Sequence, residues 1–231
     1  MKSIIKGLIL LACMGIATIL IFIAYIWVSG GSEQASAPLV TPELILQPDD
    51  TRRMFAIDPT QSEARFLIDE VLLGEPTTVI GRTQEVAGEL LIDFESPDNT
   101  QLGAVVINVG TLQTDNELRN RALRGQILQA NMPEYEIATF VPMELLNLPD
   151  EIQIGEIVNF QINGTLNVHG VSRNVVFDVS LTIISDTQIQ GLASATVQFT
   201  DFNIIIPEAA GVANIADNVE LEFDFVANLH V

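Results

Sequence analysis

The chain is poor in every residue type that usually builds a metal or covalent site. Its one cysteine, Cys13, lies inside an apolar run near the N-terminus. Beyond that run there is no thiol, which excludes a disulfide or a cysteine-built metal site in the rest of the chain. The two histidines are His169 and His230, far apart in sequence, so zinc and Cys–His chemistry have little to draw on. No G-x-S-x-G, phosphate-loop or dinucleotide fingerprint occurs. The acids are scattered along stretches that read as polar strand faces, a pattern of solvation more than of paired acid–base groups. No catalytic residue, metal site or cofactor is expected, and the chain reads as a non-enzyme.

Positive charge is the second scarcity. The only lysines, Lys2 and Lys6, precede the apolar run, and every Asp and Glu follows it. Downstream, eight arginines stand against 30 acids, a net charge of −22. Such a surface repels nucleic acid and anionic headgroups and favours solubility.

What the N-terminus does have is length without charge. Gly7 to Val28 spans 22 uncharged residues. At about 1.5 Å per residue this reaches about 33 Å, enough for a hydrocarbon core of about 30 Å. Tyr25 and Trp27 sit near its outer end, where an aromatic belt belongs, and the two lysines mark the cytoplasmic side. A signal-peptide core is shorter, at about 7–15 residues. The A-x-A-like site Ala35-Ser36-Ala37 is followed by Pro38, a poor residue after a cut. The expectation is an uncleaved single-pass anchor over 1–29 with the C-terminal domain outside the cytoplasm. The alternative is secretion after cleavage. Residues 30–52, rich in Gly, Ser, Ala and Pro, read as a flexible tether, and 53–231 as one domain.

That domain alternates with period two. Phe160, Ile162, Gly164, Leu166 and Val168 share one face, opposite Gln161, Asn163, Thr165, Asn167 and His169. Similar runs cover Val175–Ile183 and Leu221–Leu229, and weaker ones fall at 64–68, 78–83, 89–94, 104–109, 137–141 and 189–199. One wet face per strand is the mark of an antiparallel sheet. His169-Gly170 and Ser185-Asp186 suit the turns. Asp115 to Leu128 breaks the alternation; Thr114 or Asp115 is placed to cap a short helix with Leu118, Ala122 and Gln126 on one face. The expected fold is all-β: an extended antiparallel lipocalin-like β-barrel of about eight strands with a short helical crossover, preceded by one N-terminal transmembrane helix. Eight strands suffice to enclose one small ligand.

Several segments resemble the YceI-like family, the lipocalin-like polyisoprenoid-binding domains of bacterial envelopes. Phe55-Ala56-Ile57-Asp58-Pro59 is similar to the family's opening, and Gly88–Phe94 to its G-x-[LIV]-x-[FI]-[DN] strand. Thr111–Asn116 leading into Arg119-Asn120-Arg121-Ala122-Leu123 resembles S-[LIV]-x-T followed by R-D-x-H-L, with the acid and the histidine replaced. Pro133–Phe140 stands where the family has Y-P-x-[AI]-x-F. Gly164–Arg173 is similar to G-x-L-T-[IL]-x-G-V-T-[KR]. Thr200-Asp201-Phe202-Asn203 matches the late R-S-x-[FW]-G segment only loosely.

The resemblance implies non-catalytic binding of an isoprenoid lipid or quinone along the barrel interior. The candidate contacts are Phe66, Phe140, Phe160, Ile162, Phe177, Val179, Phe223 and Phe225, with Arg119 and Arg121 placed for a headgroup. The expected partners are that lipid and, through the N-terminal helix, the membrane, but not nucleic acid. The sequence carries no signal for an oligomeric state. A different reading of the same pattern is an envelope protein–protein interaction module with a filled core. Interior volume separates the two.

Overall fold

The computed structural model describes residues 15–21, 23–27, 35, 37–47 and 50–230. The strands are β1 (Arg53–Ile57), β2 (Glu63–Leu72), β3 (Glu75–Thr83), β4 (Val86–Ala87), β5 (Glu89–Ile92), β6 (Gln101–Leu102) and β7 (Val105–Asn108). They continue with β8 (Ile137–Leu146), β9 (Ile157–Val168), β10 (Val171–Ser185), β11 (Gln188–Gln198), β12 (Val212–Ala213) and β13 (Asn218–Leu229). All thirteen belong to one antiparallel sheet, against an expected count of about eight. Nine of them fall in the alternating runs; the other four, β1, β4, β6 and β12, have two to five residues, too few to show an alternation by themselves.

The path β4-β7-β8-β9-β10-β11-β13-β1-β5-β6 is strongly curled. Its first strand, β4, is separated from β5 near its other end only by Gly88, so continuous backbone draws the two ends together. The β2–β3 hairpin branches from β13, and Arg82 of β3 bridges to Gln113 after β7. The sheet thereby wraps around an interior.

The long strands carry the alternation as expected. Along β10, Val175, Val179, Leu181 and Ile183 are buried while Asn174, Val176, Asp178 and Ser180 are exposed. The β9–β10 turn is His169-Gly170, with φ of 53° and 71°, the left-handed pair that suits a two-residue hairpin. The β10–β11 turn falls at 186–187, one residue beyond the expected Ser185-Asp186.

The break in alternation is a helix, Glu117–Ala122, followed by a wider turn, Leu123–Ile127. Its cap is Asn116, whose side chain accepts from the N–H groups of Leu118 and Arg119 at 3.0 and 3.1 Å. The expected cap was Thr114 or Asp115. Thr114 instead donates from its backbone N and its hydroxyl to Asn120 Oδ1, at 2.6 and 2.8 Å, which locks the approach to the helix.

The expected membrane-spanning run, Gly7–Val28, lies partly outside the described residues. Within them, 15–21 and 23–27 are helical, and none of the described helices is long and apolar enough to cross a membrane. The segment before β1 contacts the domain: the Leu44 N–H donates to Glu89 Oε2 at 3.0 Å.

Candidate functional site: an apolar cavity inside the barrel

The inward faces do not meet everywhere. At one end, Phe55, Ile183, Ile189 and Ala227 are fully buried and seal the barrel. Toward the other end the walls part around a cavity of about 860 Å³. Pockets for drug-sized ligands run about 300–1,000 Å³. Phe66, Ile162, Phe177 and Phe223 point inward yet are only half-buried, because they face this space.

All eight apolar residues singled out from the sequence line the cavity: Phe66, Phe140, Phe160, Ile162, Phe177, Val179, Phe223 and Phe225. Local backbone holds several rings in place. Phe66 lies over Gly81, its cross-strand partner, and Phe225 over Gly191 in the same way. Phe140 lies across Gly164 of the neighbouring strand. A Cβ at any of the three glycines would collide with the ring, so the missing side chain lets the ring lie flat against the wall. Phe140 and Phe177 meet edge to face with centroids 4.9 Å apart, and Phe223 and Phe225 stack at 5.5 Å.

The mouth is built by the helix Glu117–Ala122, the turn after it and the loop after Phe202. Leu118, Ala122 and Gln126 all face the cavity, as the helical spacing predicts. The two arginines separate. Arg119 lines the cavity and is ion-paired with Glu70 at 3.1 Å and Asp115 at 2.6 Å. Arg121 does not line it; it pairs with Glu117 at 2.9 Å and covers the Trp27 ring at 4.0 Å.

Sequence reasoning missed two polar groups here. Glu70 is buried on the cavity wall, and its signal was its place on the inward face of β2. Gln126 Nε2 is buried without a hydrogen-bond partner among the described residues. A ligand oxygen near it would receive a donor that is already desolvated. No group of His, Cys, Asp and Glu among the described residues could hold a metal ion.

The profile of the YceI-like domain family matches residues 55–227. The chain belongs to the YceI-like family. Solved structures share its fold. A polyisoprenoid-binding domain from Saccharophagus degradans, implicated in plant cell wall breakdown, superposes with a TM-score of 0.58 at 18% identity, over 76% of this chain and 98% of that one. BcnA from Burkholderia cenocepacia gives 0.57 at 18%, over 74% and 99%. The YceI protein of Campylobacter jejuni gives 0.53 at 18%, over 65% and 85%. No curated protein sequence matches significantly.

Two departures of this YceI-like domain from the family motif have visible consequences. Asn120 replaces the acid of R-D-x-H-L, and its Oδ1 is the acceptor for both Thr114 donors, so the position keeps its acceptor without the charge. Ala122 replaces the histidine and adds apolar wall at the mouth. Phe202, in the loosely matched late segment, is buried in the core below the loop it precedes.

Proposed function

We propose that this YceI-like domain binds a long apolar lipid, an isoprenoid or isoprenoid quinone, inside its barrel and carries it without catalysis. The observation that carries the reading is the hollow, apolar interior lined by Phe66, Phe160, Phe177 and Phe223. The Saccharophagus domain with the same fold is a polyisoprenoid-binding domain, which supports the same ligand class here. A chain burying several hundred Å² of apolar surface gains on the order of 10 kcal/mol gross at about 25 cal/mol per Å², before ordering costs. No single polar contact is needed for affinity. The hollow interior also speaks against an interaction module with a filled core.

We further propose that the uncharged run Gly7–Val28 anchors the protein in a membrane and that the acidic domain lies outside the cytoplasm. Run length and lysine placement support this. Native mass spectrometry of the full chain, purified from membranes, tests both. The intact mass should include the N-terminal residues, and one apolar lipid, or added geranylgeraniol, should remain bound on gentle desolvation. A chain that arrives empty and takes up no geranylgeraniol is not a carrier. A mass that begins near Pro38 means secretion.

A further inference from the structure

Between Phe202 and β13 the chain passes through Ile204-Ile205-Ile206-Pro207-Glu208-Ala209-Ala210-Gly211, with Glu208 its only charge. Loops normally run over the surface and face water. This one is apolar in a strongly acidic domain, and Ile205 is 78% exposed. Ile206 and Pro207 border the cavity mouth. Beside it stands the tip of the β2–β3 hairpin, Leu73-Gly74. Two-residue hairpins favour Asn-Gly or Asp-Gly, because both central residues need positive φ. Here a leucine takes φ of 53° and is 82% exposed. That conformation is uncommon for a bulky residue, and beyond the contact of its side chain with Gly211 the leucine is open to solvent. The Leu73 N–H donates to the Gly211 carbonyl at 2.7 Å, so tip and loop form one apolar rim.

We infer that this rim docks the domain on a lipid bilayer, with Leu73 and Ile205 dipping among the acyl chains so that a lipid passes between bilayer and cavity without crossing water. The inference rests on the carriage and anchoring proposed above and adds the orientation. Three observations choose a bilayer as the occupant. The rim carries Glu208, with Glu75 next to the hairpin tip, and no basic residue, which fits zwitterionic lipid and repels anionic lipid. The chain's own apolar N-terminal helix already lies at the same mouth, with Ile19, Ile23 and Ile26 on the cavity wall. Tyr25 shares a shallow recess with Ile205 and Pro207, and Trp27 lies under Arg121, so the described part of the apolar run, 15–21 and 23–27, sits where the rim is.

The test uses the full chain in phosphatidylcholine vesicles. In a Cys13→Ser background, single cysteines replace Leu73, Ile205 or, as a far-end control, Ile154, in the loop next to the C-terminal end of β10. Each is labelled with a polarity-sensitive fluorophore and exposed to lipids carrying bromine on the acyl chain. A fourth sample carries the label on the native Cys13. Probes at 73 and 205 should shift to the blue on vesicle addition and be quenched severalfold more than the probe at 154. If they match the probe at 154 while Cys13 is quenched, the anchor stands and the docking rim is refuted. If Cys13 is not quenched either, anchoring has failed and the orientation falls with it. If the rim probes are already shielded without vesicles and do not respond to them, the protein's own helix is the permanent occupant and the inference is overturned. Native mass spectrometry of the same samples reads lipid carriage independently.

Discussion

At the sealed end of the barrel, Phe55 has no exposed surface and sits among Ile183, Ile189 and Ala227. Nearer the mouth, Phe177 and Phe223 occupy equivalent inward positions and are only half-buried, because they border the cavity. The two regions use the same strands, the same alternation and the same residue types. They differ in whether the opposing walls come close enough to interdigitate. An inward position is therefore not the same as a packed one. A fold can be stabilised at one end while keeping the other open for a guest.

Removing a ring from each region should have very unequal consequences. Phe55→Ala should lose about 3–5 kcal/mol, the cost of emptying a packed aromatic site. Phe177→Ala should lose clearly less, because its ring already lacks neighbours on the cavity side. Phe177→Trp should change stability little, since the larger ring can enter the void, yet it should exclude lipid. Urea unfolding and lipid extraction on the three variants decide it. Equal losses for the two alanine variants would mean that the cavity collapses in solution.

The glycine–phenylalanine pairs differ in the same sense. At Gly164 a Cβ would meet both the Phe140 ring and the Val141 carbonyl, so Gly164→Ala overpacks against backbone that cannot yield. A cost of about 1–3 kcal/mol is expected. At Gly81 the three nearest atoms all belong to the Phe66 ring, which can swing into open space. Gly81→Ala should hold most of its stability and lose lipid capacity. Thermal unfolding beside a geranylgeraniol titration separates the two, and a Gly81 variant with full capacity would show that the Phe66 ring does not border the guest.

A smaller effect is expected at the mouth. Glu70→Gln removes the charge from the buried side of the pair with Arg119, but Arg119 keeps Asp115 at 2.6 Å. The net loss should be about 1 kcal/mol. Chemical unfolding measures it, and a loss as large as that of Phe55→Ala would mark the pair as a support of the fold.

The sequence made the long strands legible because one wall of each meets water and the other does not, a contrast that alternation records residue by residue. The same alternation picked out the cavity-lining phenylalanines, since facing a void and facing a core look alike in sequence. Hence the hollow itself was not legible: it depends on the distance between walls, which no single strand encodes. The strands β4, β6 and β12 are not legible because two residues carry no pattern, whereas β5 and β7 fall within the weak runs at 89–94 and 104–109. Asn116 was passed over as the helix cap because three neighbouring residues, Thr114, Asp115 and Asn116, all have capping chemistry, and only the side-chain hydrogen bonds choose among them. The sequence does not separate Arg121 from Arg119, because both sit on one short helix. The two side chains are turned to different neighbours there, which separates the cavity wall from the Trp27 contact.

The last and smallest expected effect is a pH dependence that belongs to the sealed end. Asp93 follows β5 and organises the turn after it. Burial works to raise its carboxyl, but donors outweigh it: Asn99 Nδ2 at 3.2 Å, the Ser96 and Glu95 N–H groups at 3.0 Å each, and the Thr51 hydroxyl at 3.3 Å. The net result is a carboxyl held below its ordinary value of 3.8. A carboxylate whose folded pKa is depressed stabilises the fold fully above its unfolded pKa, about 3.9 for Asp, and loses that contribution as pH falls through the lower folded value. Asp93→Asn should therefore melt a few degrees below the parent protein near neutral pH, and the gap should narrow as the pH is lowered past about 3.9. Paired melting curves across that range read it directly. A gap that stays constant into acid would assign the loss to the turn's geometry, with no contribution from the charge.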